Sequence, residues 1–292
     1  MAKLEYSVYV APSKLVASDD FPPGEDREMW SPTASTLIHG ERDAVLVDPL
    51  MTKDESRALA DWVVATGKNV TAIFVTHAHG DHFFGAPAVL ERFPAAKVVA
   101  APGVGARMDA QYGPRWLDGF WNPRFPGQIS GQRVTAEPLT DGLLELEGEQ
   151  LRVIELGHTD TDGTSALHVP STGLVVAGDA VYGDVNLYLA EAKGNGRREW
   201  LDAWTPSRGS SPARSSPATS ETATPTARKT SARPAVTSKT SAPQSRRLTT
   251  SPTSRGNGRR LPGQSEPRRH LALREGLPGL TSCLVDDLGL AG

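Results

Sequence analysis

Residues 70–82 read Val-Thr-Ala-Ile-Phe-Val-Thr-His-Ala-His-Gly-Asp-His. The first six form a continuous apolar run of the kind found in a strand buried on both faces. The run ends directly in His77-x-His79-x-Asp81-His82, on a tight loop containing Gly80. Side chains at a strand end can converge on one point. Imidazole and carboxylate are the ligands that Zn²⁺ favours in catalytic sites.

Upstream, residues 44–48 (AVLVD) are a short apolar strand stopped by Pro49. Thr52 and Glu55 have the spacing of a capping box, which opens a helix over KDESRALADWVVAT that Gly67 closes. Leu59, Trp62 and Val63 give that helix one apolar face. Downstream, a second helix is predicted around Ala88–Phe93, then a strand from Lys97. From Arg107 to Gly131 the pattern is irregular, with Trp116, Phe120, Trp121 and Phe125 among Pro and Gly. This stretch reads either as core or as a lid over the histidine cluster. Strand signals resume at 151–157 (LRVIELG), 165–170 (SALHVP) and 173–181 (GLVVAGDAV). Helices and strands alternate early and strands dominate later, which predicts a layered sheet-and-helix fold of the α/β (α+β) class.

Two single residues repeat the placement of the cluster. His158 follows one strand through Gly157, and Asp179 follows another in the run Ala177-Gly178-Asp179. Both are candidate metal ligands. His39 and His168 lie inside strand-like runs and read as packed or surface residues. No G-x-S-x-G nucleophile signature is present.

THAHGDH at 76–82, GHT at 157–159 and AGDAV at 177–181 together resemble the successive metal motifs of the metallo-β-lactamase superfamily. The resemblance spans about residues 31–204. It implies a four-layer αββα sandwich with two metals at one sheet edge. Carried over by position, His77, His79 and His158 would hold a first zinc. Asp81 and His82 would hold a second, Asp179 would bridge the two, and Asp81 would also act in catalysis. Asp48 matches a position that braces the metal loop, although a turn aspartate ending a strand reads equally well. The implied chemistry is zinc-dependent hydrolysis of an ester, lactone, thioester or amide of a small-molecule substrate. Two cations sharing a water lower its pKa toward neutrality and provide hydroxide at pH 7. A mononuclear iron oxygenase of the same fold is the alternative, since two histidines and a carboxylate suit Fe(II). A non-catalytic metal- or nucleic-acid-binding protein is the third reading. Fold alone does not choose the substrate.

The rest of the chain departs from that pattern. Every Phe, Tyr and Trp lies at or before Trp204, and residues 205–292 carry 14 Lys+Arg against 5 Asp+Glu. Ser, Thr, Pro, Ala and Arg dominate that segment, too polar to offset the entropy of ordering. The expected organisation is therefore a domain over 1–203 and a disordered basic tail over 204–292. The resembled family has one further histidine on a strand well after the bridging aspartate. Between Asp179 and Arg269 this chain has none, so the second zinc site and the C-terminal part of the fold are expected to be incomplete. The tail reads either as a natural basic arm or as a frame-shifted translation of GC-rich coding DNA. Shifting the frame lets Arg214–Thr222 encode V-V-A-G-H-K-R-D, a strand followed by a histidine, and Val236–Ser241 encode Y-I-Q-D-F. A third frame from Asn257 can place a stop across Leu280–Thr281, codon degeneracy making each of these blocks compatible with the sequence and none forced by it. For this chain as written, weak second-metal binding, low activity and poor solubility are expected. The lone cysteine, Cys283, excludes an internal disulfide. No signal peptide or membrane-length apolar run is evident, which predicts a soluble cytoplasmic protein without a membrane partner. Nucleic acid is not favoured as a partner, and the oligomeric state is open.

Overall fold

The computed structural model describes residues 3–21, 24–183 and 187–204, and the backbone of 284–286. The frame-shift blocks, His270 and Cys283 lie outside the described residues. The first sheet has six strands in the order β1-β4-β5-β6-β7-β8. They are β1 (Glu5–Val10), β4 (Ala34–His39), β5 (Asp43–Val47), β6 (Asn69–Val75), β7 (Lys97–Ala100) and β8 (Glu137–Pro138). Between β1 and β4, the short β2 (Lys14–Leu15) and β3 (Met29–Trp30) pair with each other. From β5 to β8 neighbouring strands run parallel, which requires crossover connections. Those crossovers carry α1 (Lys53–Ala65), α2 (Ala86–Arg92), α3 (Val104–Gln111) and the single turn α4 (Asn122–Arg124).

The second sheet is antiparallel, in the order β13-β12-β11-β10-β9. Its strands are β9 (Leu143–Leu146), β10 (Glu149–His158), β11 (Asp162–Val169), β12 (Leu174–Val176) and β13 (Leu284–Asp286). The backbone of β13 pairs antiparallel with β12. Between β12 and β13 in sequence, α5 (Gly196–Ala203) packs against β10.

The two-residue period of β6 sorts its side chains between layers. Ile73 and Val75 join Leu59 and Val63 of α1 with Leu37 and Leu46 on the helix side. Ala72 and Phe74 face the other way, into a layer shared with Val45, Val47, Leu151, Leu167 and Val176 between the two sheets. Ala166, Val175 and Ala177 form a third cluster with Leu156 and Trp204 on the outer face of the second sheet. The architecture is thus a four-layer αββα sandwich.

Thr52 caps α1, and the capping box with Glu55 is closed in both directions. The irregular stretch after Arg107 packs as core. Trp121 and Phe125 are buried against Trp30, with ring centroids 5.5 and 5.4 Å away. At the far end of the sandwich, the β9–β10 turn reaches across to the first sheet. The Glu147 carboxylate accepts the backbone N–H groups of Glu41, Arg42 and Asp43 at 2.9, 2.6 and 2.7 Å.

Candidate metal centre

The site forms where β5, β6, β10 and β12 end. Just past β5, Asp48 adopts a positive φ of 55°, a conformation that aspartate tolerates better than most residues. It is wholly buried. Its Oδ1 accepts the Thr76 N–H at 2.9 Å, and its Oδ2 accepts the Thr76 hydroxyl at 2.8 Å and faces His82 Nδ1 at 3.0 Å. The Thr76 hydroxyl also lies 2.9 Å from His77 Nδ1. Since that hydroxyl donates to Asp48, the network assigns the Nδ1 proton to His77, and Asp48 likewise draws the Nδ1 proton of His82. Glu191 plays the same part for His79, its Oε1 lying 3.1 Å from His79 Nε2 while its Oε2 accepts the Thr161 hydroxyl at 2.7 Å. Each of the three histidines therefore has its outer nitrogen held, with the other nitrogen turned inward.

The inward nitrogens meet carboxylates in two groups that share His77. His77, His82 and Asp179 form one, with the His77 and His82 ring centroids 4.2 Å apart. His77, His79 and Asp160 form the other. In each group one ligand atom per residue lies within 4.8 Å of the others. His82 Nε2 is 3.3 Å from Asp179 Oδ1 and 3.8 Å from Asp81 Oδ2. Tyr182 donates its hydroxyl to Asp179 Oδ2 at 2.8 Å, and Trp200 of α5 donates to the Ala180 carbonyl at 2.9 Å.

His77 Nε2, Asp160 Oδ2 and Asp179 Oδ1 are buried without a hydrogen-bond partner. Buried polar atoms are normally satisfied, so such orphans in each of the two groups mark places for a cation. The donor set, imidazole nitrogen with carboxylate oxygen, fits divalent zinc or iron. Charges without the cation are correspondingly displaced. Burial holds His77 well below the usual imidazole range. Burial opposes charging of His79 too, but the carboxylates of Asp160 and Glu191 outweigh it and raise its pKa to about 10. For His82 the surrounding carboxylates of Asp179, Asp81 and Asp48 likewise overcome burial and raise it. Burial pushes Asp179 up to about 6 against the pull of His82. Asp160 moves the other way, because His77 and His79 outweigh its desolvation.

Of the residues singled out from the sequence, the structure brings His77, His79, His82 and Asp179 into these two groups and sets Asp81 and Asp48 beside His82. His158 belongs to neither group. Its Nδ1 pairs with Asp162 at 2.6 Å, and its Nε2 is buried without a partner beneath α5, where a side-chain carbon at Gly196 would lie 2.6 Å away. Asp160, Glu191, Thr76 and Tyr182 escaped the sequence reading. The only signal for Asp160 was its place in the run Thr159-Asp160-Thr161-Asp162, where hydroxyls flank a carboxylate.

Comparison with known proteins points the same way. The family profile described as "Metallo-beta-lactamase superfamily" matches residues 29–225. A hydroxyacylglutathione hydrolase of Parasynechococcus marenigrum (strain WH8102) is 36% identical over 87 residues, 30% of this chain and 31% of that protein. One from Francisella tularensis subsp. holarctica (strain FTNF002-00 / FTA) is 34% identical over 67 residues, 23% of this chain and 25% of that protein. The chain thus spans about a third or less of the length of these relatives. Among solved structures, a metallo-beta-lactamase from Pontibacter korlensis aligns over 69% of this chain and 83% of its own, with a TM-score of 0.47 and 18% identity. With the profile covering well over half of its length, this chain belongs to the metallo-β-lactamase superfamily, a family of hydrolases, and carries His and Asp groups able to bind metal.

Proposed function

We propose that this protein is a zinc-dependent hydrolase of ester, lactone, thioester or amide bonds in small molecules, with the acyl thioester first among them. The observation that carries this reading is the pair of buried His–carboxylate groups sharing His77. The similarity to hydroxyacylglutathione hydrolases supports an acyl group joined to a thiol as substrate. In this reading His77 and His79 belong to a first cation, Asp81 and His82 to a second, and Asp179 lies between them. His158, with Nδ1 held by Asp162, would bring its free Nε2 to the first cation only by moving from beneath α5. When bound, the cations acidify a water molecule and polarise the scissile carbonyl.

The chain's own residues prepare that chemistry. Asp48, Thr76 and Glu191 hold the outer nitrogens, so the inner lone pairs are preorganised and need no reorientation on binding. Tyr182 steadies Asp179 through its Oδ2 and leaves Oδ1 turned toward His82. Asp81, beside His82 and nearly buried, is the carboxylate closest in role to a proton acceptor for the attacking water.

The test is hydrolysis of an acylglutathione, a simple ester, a lactone and a β-lactam by the full chain, stripped with chelator and then reloaded with zinc. Zinc-dependent turnover that His77→Ala abolishes is expected. A zinc-loaded, folded chain that cleaves none of the four overturns the proposal. The two-His-one-carboxylate composition of both groups favours one second reading, a mononuclear iron oxygenase. Iron retained on purification, together with oxygen consumption, would select it. We further propose that the segment after Trp204 is an out-of-frame translation. Resequencing codons 195–292 tests this, and DNA unable to encode V-V-A-G-H-K-R-D at 214–222 refutes it.

A further inference from the structure

We propose that Asp160 is itself a ligand of the first cation, completing with His77 and His79 a two-histidine, one-carboxylate site in the place expected for His158. This rests on the metal-binding reading above and names a ligand that reading did not contain.

Asp160 is completely buried. Its Oδ1 is pinned by the hydroxyls of Thr159 at 2.8 Å and Thr164 at 3.4 Å, which fixes the plane of the carboxylate. Its Oδ2 then points to His79 Nδ1 at 2.9 Å and His77 Nε2 at 3.3 Å. The contact with His79 is an ion pair, and neither Asp160 Oδ2 nor His77 Nε2 has a partner in good hydrogen-bond geometry. Thr76 and Glu191 hold the protons of the outer nitrogens. The inner atoms of all three residues thus converge in a dry interior, where a cation would take the place of the proton that His79 holds toward Asp160 in its absence. Such an arrangement repels unless a proton or a cation sits among them, and burying a charged carboxylate without a partner is costly.

His158 offers no comparable geometry. Asp162 holds its outer Nδ1 much as Asp48 holds that of His82, but the His158 Nε2 lies against Gly196 of α5 and the residue belongs to neither ligand group. The β-bulge between Glu155 and His158 is the local reason. It changes which side chains of the strand end turn toward the site, and passes that place on to Asp160 in the following turn.

The experiment uses the full chain with Co²⁺ and Zn²⁺ as probes. Affinity is read by chelator competition, and direct ligation by the absorption spectrum of the cobalt form. Asp160→Asn is expected to weaken the first cation by about 100-fold or more, beyond the effect of residues that only orient a ligand, and His158→Ala by less than about 10-fold. Asp160→Cys gives a second readout that does not depend on activity. Sulfur reaches less far from Cβ than a carboxylate oxygen, but its bond to the metal is longer, about 2.3 Å against about 2.0–2.2 Å. The cobalt form of this variant should gain a thiolate-to-metal charge-transfer band absent from the unsubstituted chain, whose lone Cys283 serves as the control. A folded, cobalt-loaded Asp160→Cys protein without that band overturns the proposal, as does loss of the first cation in His158→Ala with retention in Asp160→Asn. An unsubstituted chain that binds neither cation overturns the metal reading as well, so the two failures are distinguishable.

Discussion

Asp48 shows how much of this site depends on one carboxylate. It serves the backbone and hydroxyl of Thr76 and the ring of His82, all inside the protein. Removing a buried acceptor costs about 1–3 kcal/mol for each donor left unsatisfied. Asp48→Ala should therefore lower stability by several kcal/mol in chemical denaturation, more than Asp48→Asn, which tolerates the positive φ and keeps one acceptor. Asp48→Asn should still weaken cation binding by about 10- to 100-fold, the usual effect of disturbing the partner of a metal-bound histidine. Equal stability of the two variants would show that the backbone strain and the lost acceptors do not matter here.

Glu147 presents a different use of a carboxylate. Three backbone N–H groups from Asp43, Arg42 and Glu41 hold its pKa down from 4.5 to about 2. A folded-state pKa below the unfolded value contributes stability that is complete above about pH 4.5 and is lost as the pH falls toward 2. Denaturation midpoints between those limits should fall less steeply in Glu147→Gln than in the parent chain. Parallel curves would mean that the carboxylate does not link the β9–β10 turn to residues 41–43 in solution.

β6 carries the fold and the site together. Buried on both faces, it joins the helix layer through Ile73 and Val75 and the inter-sheet layer through Phe74, and its last residue hands the chain to Thr76 and His77. Phe74→Ala opens a cavity between the sheets and should cost about 3–5 kcal/mol. Because Phe74 also anchors the Asp48 backbone through its carbonyl at 3.0 Å, which the substitution leaves in place, cation affinity should change far less than stability. A loss of affinity as large as that from Asp48→Asn would place the rigidity of β6 itself in the site. The loop it feeds is close-packed too, since a side-chain carbon at Gly80 would run into Phe84 and Trp121.

Taken as one chain, the protein has a well-buried αββα unit and a sequence after Trp204 that supplies no histidine before His270. Among the described residues the ligand groups number two, and neither contains a residue beyond Asp179. We expect the full chain to retain about one tightly held cation, with a second lost on dialysis, and to gain thermal stability with added zinc by mass action. Metal analysis with thermal melts checks this, and a soluble preparation that keeps two zinc ions per chain contradicts it. No described helix is long and apolar enough to cross a membrane.

Local rules accounted for a large part of this structure. The capping box at Thr52 and Glu55, the apolar run of β6, and the histidines at its end are all governed by neighbours a few residues apart, so they were legible in order along the chain. The pairing of β1 with β4 was not, because an edge strand half exposed to solvent has too weak an apolar pattern to stand out. The choice between His158 and Asp160 was equally hidden. Alternation along a strand says which side chains share a face only while the register holds, and the bulge before His158 breaks it. That Asp160, and not His158, lies with His77 and His79 is a matter of how β11 and α5 pack around that bulge. These contacts join distant parts of the chain, and no local spacing encodes them.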